Sequence, residues 1–258
     1  MRAILTEKIF QKDKTFISDK LALNPLPQGS FEVKNLDAAC LQKDKRLNDV
    51  IINEASSMLY QLHLNSPPPE VDPKVTVVLN SFFQLKIEEY ANKPTDRVML
   101  MKKLLRWQKK LTYPKSFLDY TTILCTINYI NSHWLLVRIE TSEKRMYLYD
   151  SICPAGITDE NRKRLDNFKN FFNDSEHANV TDSLEKPWTY HNACCPQQYD
   201  EDNSLLAGND CGIFAIMCLS RILENKNIEF DQKYIYDNKI REKIFLNIYN
   251  RNFELHKL

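Results

Sequence analysis

The sequence predicts an α+β fold, a short mixed β-sheet flanked by helices. Three observations predict it. Strand-like runs gather in the middle of the chain, at Tyr120–Ile127, His133–Glu140 and Arg145–Asp150. Helical spacing of apolar residues lies on both sides of them, at Leu47–Leu62 and Phe82–Trp107 before, and from Cys211 and over Lys239–Phe253 after. Hydrophobic residues make up 43% of 258, enough for a real core, and no repeat or low-complexity tract divides it.

In chain order, residues 1–35 read as an extended arm around a turn cluster at Asn24–Gly29, and residues 36–258 as one domain. The run Leu47–Leu62 aligns Leu47, Val50, Ile51, Ala55, Met58 and Leu59 on one helical face, with Asn48 or Asp49 as the cap. Pro67, Pro68 and Pro69 break it into a surface loop. Lys74–Leu79 is β-branched and extended. Phe82–Trp107 reads as helical and heavily charged, with Trp107 as a packing residue. His133–Glu140 and Arg145–Asp150, joined by the turn Thr141–Lys144, form an antiparallel hairpin. Its alternation puts Leu135, Val137 and Ile139 on one face and Leu136, Arg138 and Glu140 on the other. Asn161–Phe172 is an amphipathic helix and Trp188–His191 a further strand. The last helix turns Ile240, Ile244, Phe245, Ile248 and Tyr249 inward.

Composition excludes several function classes. The net charge is +1, from 35 basic and 34 acidic residues that are interspersed, so nothing here points to nucleic acid or a membrane surface. Seven cysteines are an odd number without a regular framework, which fits a reducing compartment. The first residues become charged too early for a secretory signal, and no apolar run approaches the roughly 18 residues of a membrane span. The chain reads as a soluble, intracellular monomer of the cytoplasm or nucleus.

The chemistry centres on Asn209-Asp210-Cys211-Gly212-Ile213-Phe214, where a polar segment turns apolar at helical spacing. A thiol at a helix N-terminus lies in the positive end of the macrodipole, which favours thiolate. Gly212 places no side chain beside the sulfur and lets a substrate backbone approach. Cys211 is therefore the candidate nucleophile, and Cys218 on the same helix reads as structural. A cysteine nucleophile needs a base, and the base an orienting acceptor. His133 opens one strand of the hairpin and Asp150 closes the other, so antiparallel pairing makes them neighbours at one end of the sheet. Asp150 then holds one imidazole nitrogen and leaves the other to take the thiol proton. Gln197 and Gln198, upstream of the nucleophile, can donate a side-chain amide to a developing oxyanion beside the Cys211 N–H. Cys194 and Cys195 beside His191 match no zinc spacing and lack a full ligand set, so no metal is expected.

These blocks resemble the Ulp/SENP group of cysteine proteases, which cleave SUMO and related ubiquitin-like proteins. Leu47-Asn48-Asp49-Val50 resembles the family's Trp-Leu-Asn-Asp helix start, and Asn80-Ser81-Phe82-Phe83 its next block. Ser132-His133-Trp134 resembles the segment of the catalytic histidine, and Tyr149-Asp150-Ser151, 17 residues on, that of the acid. Cys195-Pro196-Gln197-Gln198 and Asp210-Cys211-Gly212 are similar to the oxyanion and nucleophile segments. The resemblance implies a papain-like α+β fold and makes Gln198 the oxyanion donor. It also assigns Trp134, Arg46, Asp49 and Gly212 to the substrate side. Two departures stand out. Arg46 occupies the position of a family tryptophan that, with the one after the histidine, clamps a Gly-Gly tail; an arginine there can pair with an acidic group instead. The link Tyr199–Gly208 is longer than usual and acidic at Asp200–Ser204, either a bulge or a contact for a basic patch.

The resemblance implies an isopeptidase or C-terminal hydrolase that needs no cofactor. Its partner would be SUMO, ubiquitin or NEDD8 and their lysine conjugates. The alternatives are a deubiquitinase or deneddylase on the same scaffold, a His–acid–Cys acetyltransferase, and a catalytically silent module that binds a ubiquitin-like protein. The reading covers a cell's own enzyme and a pathogen effector delivered into a host cell alike.

Overall fold

The computed structural model describes residues 35–42, 45–110, 119–129, 132–153, 156–176, 186–198 and 209–250. The expected arm, the 199–208 link, Phe253 and the side chains of Trp107 and Tyr249 lie outside the described residues. The elements run α1 (Asn35–Ala38), α2 (Asp49–Asn65), β1 (Thr76–Leu79), α3 (Phe82–Asn92), α4 (Arg97–Lys110), β2 (Thr122–Tyr129), β3 (His133–Glu140) and β4 (Arg145–Tyr149). They continue with α5 (Asp159–Glu176), β5 (Thr189–Asn192), α6 (Cys211–Leu223), α7 (Gln232–Asp237) and α8 (Ile240–Asn250). No described helix is long and apolar enough to cross a membrane. The chain divides into two compact units, residues 72–195 and the remainder, crossing between them at 71/72 and 195/196. The first crossing falls in the proline-rich stretch Ser66–Pro73.

Residues 72–195 hold the whole sheet, in the order β1-β2-β3-β4-β5. β1 runs parallel to β2, β5 runs parallel to β4, and the central pairs are antiparallel, so the sheet is mixed as expected. Leu135, Val137 and Ile139 are fully buried; on the opposite face Leu136 is fully buried as well, and Arg138 and Glu140 are part exposed. This is the alternation the sequence predicts, because successive strand side chains point to opposite faces. Lys144 ends the β3–β4 turn at φ 49°. α3 and α5 join through rings: Phe83 meets Phe168 and Phe171, and Tyr90 meets Phe171 edge-on at 5.3 Å. The helix expected over 82–107 is two helices. Pro94 cannot continue the ladder, Lys93 before it takes φ −126°, ψ 70°, and a 3-10 turn over Pro94–Asp96 separates α3 from α4.

The other unit is helical. α2 starts where Asn48 accepts from the Ile51 N–H at 3.0 Å, so Asn48 is the cap and Asp49 the first helical residue. α6 is buried at every position from Cys211 to Ser220, and it lies against α2. Gly212 permits that approach: a methyl group there would stand 3.0 Å from both Leu47 Cβ and Ile52 Cδ1. Leu47 and Ile52 are 3% and 0% exposed, so neither has room to give. Ile240, Ile244, Phe245 and Ile248 of α8 are buried as expected. α7 was not expected from the sequence; Asp231 caps it by accepting from the Tyr234 N–H at 2.6 Å.

Candidate active site

The predicted site residues divide between the units. His133, Trp134 and Asp150 belong to the sheet; Arg46, Asp49, Gln198, Cys211 and Gly212 belong to the helical unit.

In the sheet unit, His133 is the first residue of β3 and Asp150 follows the last residue of β4. The β3–β4 register sets Leu136 opposite Tyr149, which carries Asp150 toward the start of β3. His133 Nε2 donates to Asp150 Oδ1 at 2.8 Å, with the two side chains only 9% and 4% exposed. The same oxygen accepts from the Ile152 N–H at 3.0 Å, which fixes the carboxylate from behind. A carboxylate only accepts, so the proton sits on Nε2 and the lone pair on Nδ1. Nδ1 is then the basic nitrogen. The end of β2 that pairs with the start of β3 is itself held. Gln84 on α3 donates to the Asn128 carbonyl at 3.0 Å and accepts from the Asn128 N–H at 2.7 Å. Sequence reasoning missed Gln84; a glutamine buried on a helix of otherwise apolar inward residues was the available signal. Trp134 is 3% exposed, paired in register with Asn128.

In the helical unit, Cys211 is the first residue of α6 and is 2% exposed. Its amide and those after it belong to the helix start, where backbone N–H groups lack partners within the helix. Gln198 is 1% exposed, and its Oε1 bonds to no described residue. Arg46 is exposed, and its Nε donates to Asn209 Oδ1 at 3.0 Å, two residues before the cysteine. Asp49 stands in the first turn of α2. The absence of a side chain at Gly212 is accounted for by Leu47 and Ile52, a packing reason the sequence reading lacked.

Asp210 is the residue sequence reasoning undervalued. It is 4% exposed, and three side chains converge on it: Gln232 at 2.5 Å, Tyr236 at 3.1 Å, and Arg241 through Nε at 2.8 Å and Nη2 at 2.6 Å. Arg241 further donates to the backbone carbonyls of Asn209, Cys40 and Gln42. Polar residues scattered over α7 and α8 have no periodic signature. The one available signal was an arginine in the first turn of α8, at the helix end that disfavours a cation.

The other cysteines have different surroundings. Burial pushes the Cys125 thiol up to about 12 and raises that of Cys40, and Cys218 is fully buried. Among the described residues no group of three or more His, Cys, Asp or Glu side chains could hold a metal ion, Cys194, Cys195 and His191 included.

A thiol on the first turn of a buried helix and an imidazole oriented by a carboxylate are the parts of a cysteine peptidase. The family comparison agrees over most of the length: residues 45–255 match the C-terminal catalytic domain of the Ulp1 protease family, and the chain belongs to that family. Among solved structures it is similar to a SUMO protease Ulp1 with its catalytic cysteine oxidised to a sulfonic acid (23% identity, 92% of this chain and 94% of that chain, TM-score 0.62). It is also similar to the C-terminal Ulp1 protease domain in complex with Smt3, the yeast ortholog of SUMO (22% identity, 92% and 93% covered, TM-score 0.62). The catalytic domain of a Chaetomium thermophilum Ulp1-like SUMO protease is a third (20% identity, 94% and 91% covered, TM-score 0.60). These likenesses establish the fold. No curated protein matches the chain in sequence.

Proposed function

We propose that this protease hydrolyses the bond after the Gly-Gly tail of a SUMO-type ubiquitin-like protein, at its C-terminus or at a lysine conjugate. His133 Nδ1 takes the Cys211 proton, and the thiolate attacks the tail carbonyl. The Cys211 N–H and the Gln198 side-chain amide hold the oxyanion. The imidazolium, steadied by Asp150, then protonates the leaving lysine amine, and water attacks the thioester with His133 as base. Proton and acyl group are both returned, so no cofactor enters. The observation that carries this reading is the His133–Asp150 hydrogen bond at 2.8 Å, in a chain of the Ulp1 family. The solved relatives described as SUMO proteases support the substrate class.

Arg46 favours a second reading of the tail. Its guanidinium, exposed and tied at Nε to Asn209, presents a cation beside the nucleophile segment. A ubiquitin-like protein with an acidic or polar residue near its Gly-Gly would suit it. Rates on C-terminal fusions of SUMO, ubiquitin and NEDD8, measured side by side, test the assignment. SUMO is expected to be cleaved fastest; turnover of ubiquitin or NEDD8 alone, whose tails are basic beside the Gly-Gly, would transfer the assignment to that protein and overturn the Arg46 reading, and turnover of none would sink both.

A further inference from the structure

Three Asx residues stand at N-cap positions in the helical unit, and they behave differently. Asn48 and Asp231 have extended backbones, at ψ 172° and ψ 178°, and each side chain accepts from an N–H of its own helix. Asp210 has φ −98° and ψ 2°, and its side chain makes no cap bond. Its carboxylate is instead held by Gln232, Tyr236 and Arg241. An aspartate at an N-cap ordinarily folds onto the first N–H groups and neutralises the positive helix end. Here that end belongs to the nucleophile, and a carboxylate placed there would compete with a thiolate or an oxyanion for the same donors.

We propose that Arg241 is a positioning residue for Cys211: it draws the Asp210 carboxylate off the start of α6 and so reserves the helix N-terminus for the anion that catalysis creates there. The inference rests on Cys211 being the nucleophile. The guanidinium is suited to it, because all three nitrogens are engaged. Nε and Nη2 take Asp210 and the Asn209 carbonyl, while Nη1 takes the carbonyls of Cys40 and Gln42. The Arg241 side chain is 11% exposed and that of Asp210 6%, so the pair acts with little screening by solvent. A lysine would keep the charge but lose the fork.

The test is the pH profile of Cys211 alkylation by iodoacetamide in the full chain, followed by mass spectrometry of the Cys211 peptide so that the other cysteines do not interfere. The other charged or titratable groups around this corner, Arg46 through Asn209, Tyr236, Asp37 and Cys40, are common to every variant, as is His133. In Arg241→Met the midpoint is expected to rise by roughly one pH unit, the order of a nearby charge gained. Arg241→Lys should fall between, and Asp210→Asn placed in the Arg241→Met chain should bring the midpoint back to the parent's. An unmoved midpoint in an Arg241→Met protein with a parental urea transition overturns the proposal, as does a rise that Asp210→Asn fails to reverse. If Arg241→Met does not fold, Asp210→Asn alone decides. Its midpoint should equal the parent's or lie below it, and a rise contradicts the proposal. Iodoacetamide needs no protein substrate, so failure to cleave any ubiquitin-like protein would leave this measurement intact.

Discussion

In the sheet unit, His133 and Asp150 stand 17 residues apart, and a single hairpin brings them to 2.8 Å. In the helical unit, Asp210 and Arg241 stand 31 residues apart, and their bond depends on how α6, α7 and α8 pack. Antiparallel pairing is a local rule, so the first arrangement follows once two strands and a turn are recognised. Helix packing is not local: a buried ion pair between helices is specified by no pattern along the chain. The same contrast separates chemistry from support. The hairpin places the base and the acid that orients it, whereas the helical network holds a backbone corner on which the nucleophile sits.

The largest effects should come from the reacting groups. Cys211→Ala and His133→Ala are each expected to lower kcat/KM on a cleavable fusion by at least about 10⁴-fold, and Asp150→Asn by roughly 10² to 10⁴-fold, with urea midpoints little changed. A collapse of stability in Asp150→Asn would show that the hairpin pair is structural rather than catalytic. Next comes Gly212→Ala. Its added methyl group meets Leu47 and Ile52 at 3.0 Å and should destabilise by about 1–3 kcal/mol in urea titration. A neutral or stabilising result would mean α2 and α6 can separate, and the helical unit would be less tightly specified than argued.

A smaller effect concerns pH. His63 is buried, and its Nδ1–H donates to the Leu223 carbonyl at 2.9 Å. Burial holds its pKa below the ordinary value of 6.5. The unfolded chain therefore takes up the proton first as pH falls, and the folded state loses stability from pH 6.5 down to the depressed folded value. The slope from this one group is at most about 1.4 kcal/mol per pH unit. His63→Asn should shrink the difference in urea midpoint between pH 7.5 and 5.5; an equal difference in both proteins would refute the assignment. The smallest effect is expected in the sheet unit, at Asp174. It accepts from Tyr90 and from Arg97 at 3.0 Å, yet the Arg97–Asp174 side chains are 37% and 35% exposed. Asp174→Asn should cost less than about 1 kcal/mol.

Much of the fold was legible, for reasons that differ by element. β3 and β4 announce themselves by alternation, and the start of α6 by the change from Asn209-Asp210 to an apolar helical run. Trp188–His191 was read one residue early because a short edge strand offers too few alternations to fix its ends. α3 and α4 were read as one helix because charged residues continue the helical spacing across Pro94. α7 was missed because six residues are too few for a period to show, although Asp231 marks its start. At the candidate site, the histidine, acid and cysteine stand out in the sequence because each lies at the end of a regular element. Gln84, Gln232, Tyr236 and Arg241 do not, because a polar side chain that supports a backbone from another element leaves no trace in its own neighbours.

The central claim is that Cys211 is a nucleophile served by His133. A SUMO carrying a thiol-reactive electrophile in place of its C-terminal glycine carboxylate tests it most directly, with the modified residue mapped by mass spectrometry. The account predicts one adduct, on Cys211, absent in Cys211→Ala and formed far more slowly in His133→Ala. Modification of another cysteine, or an unchanged rate in His133→Ala, would contradict it.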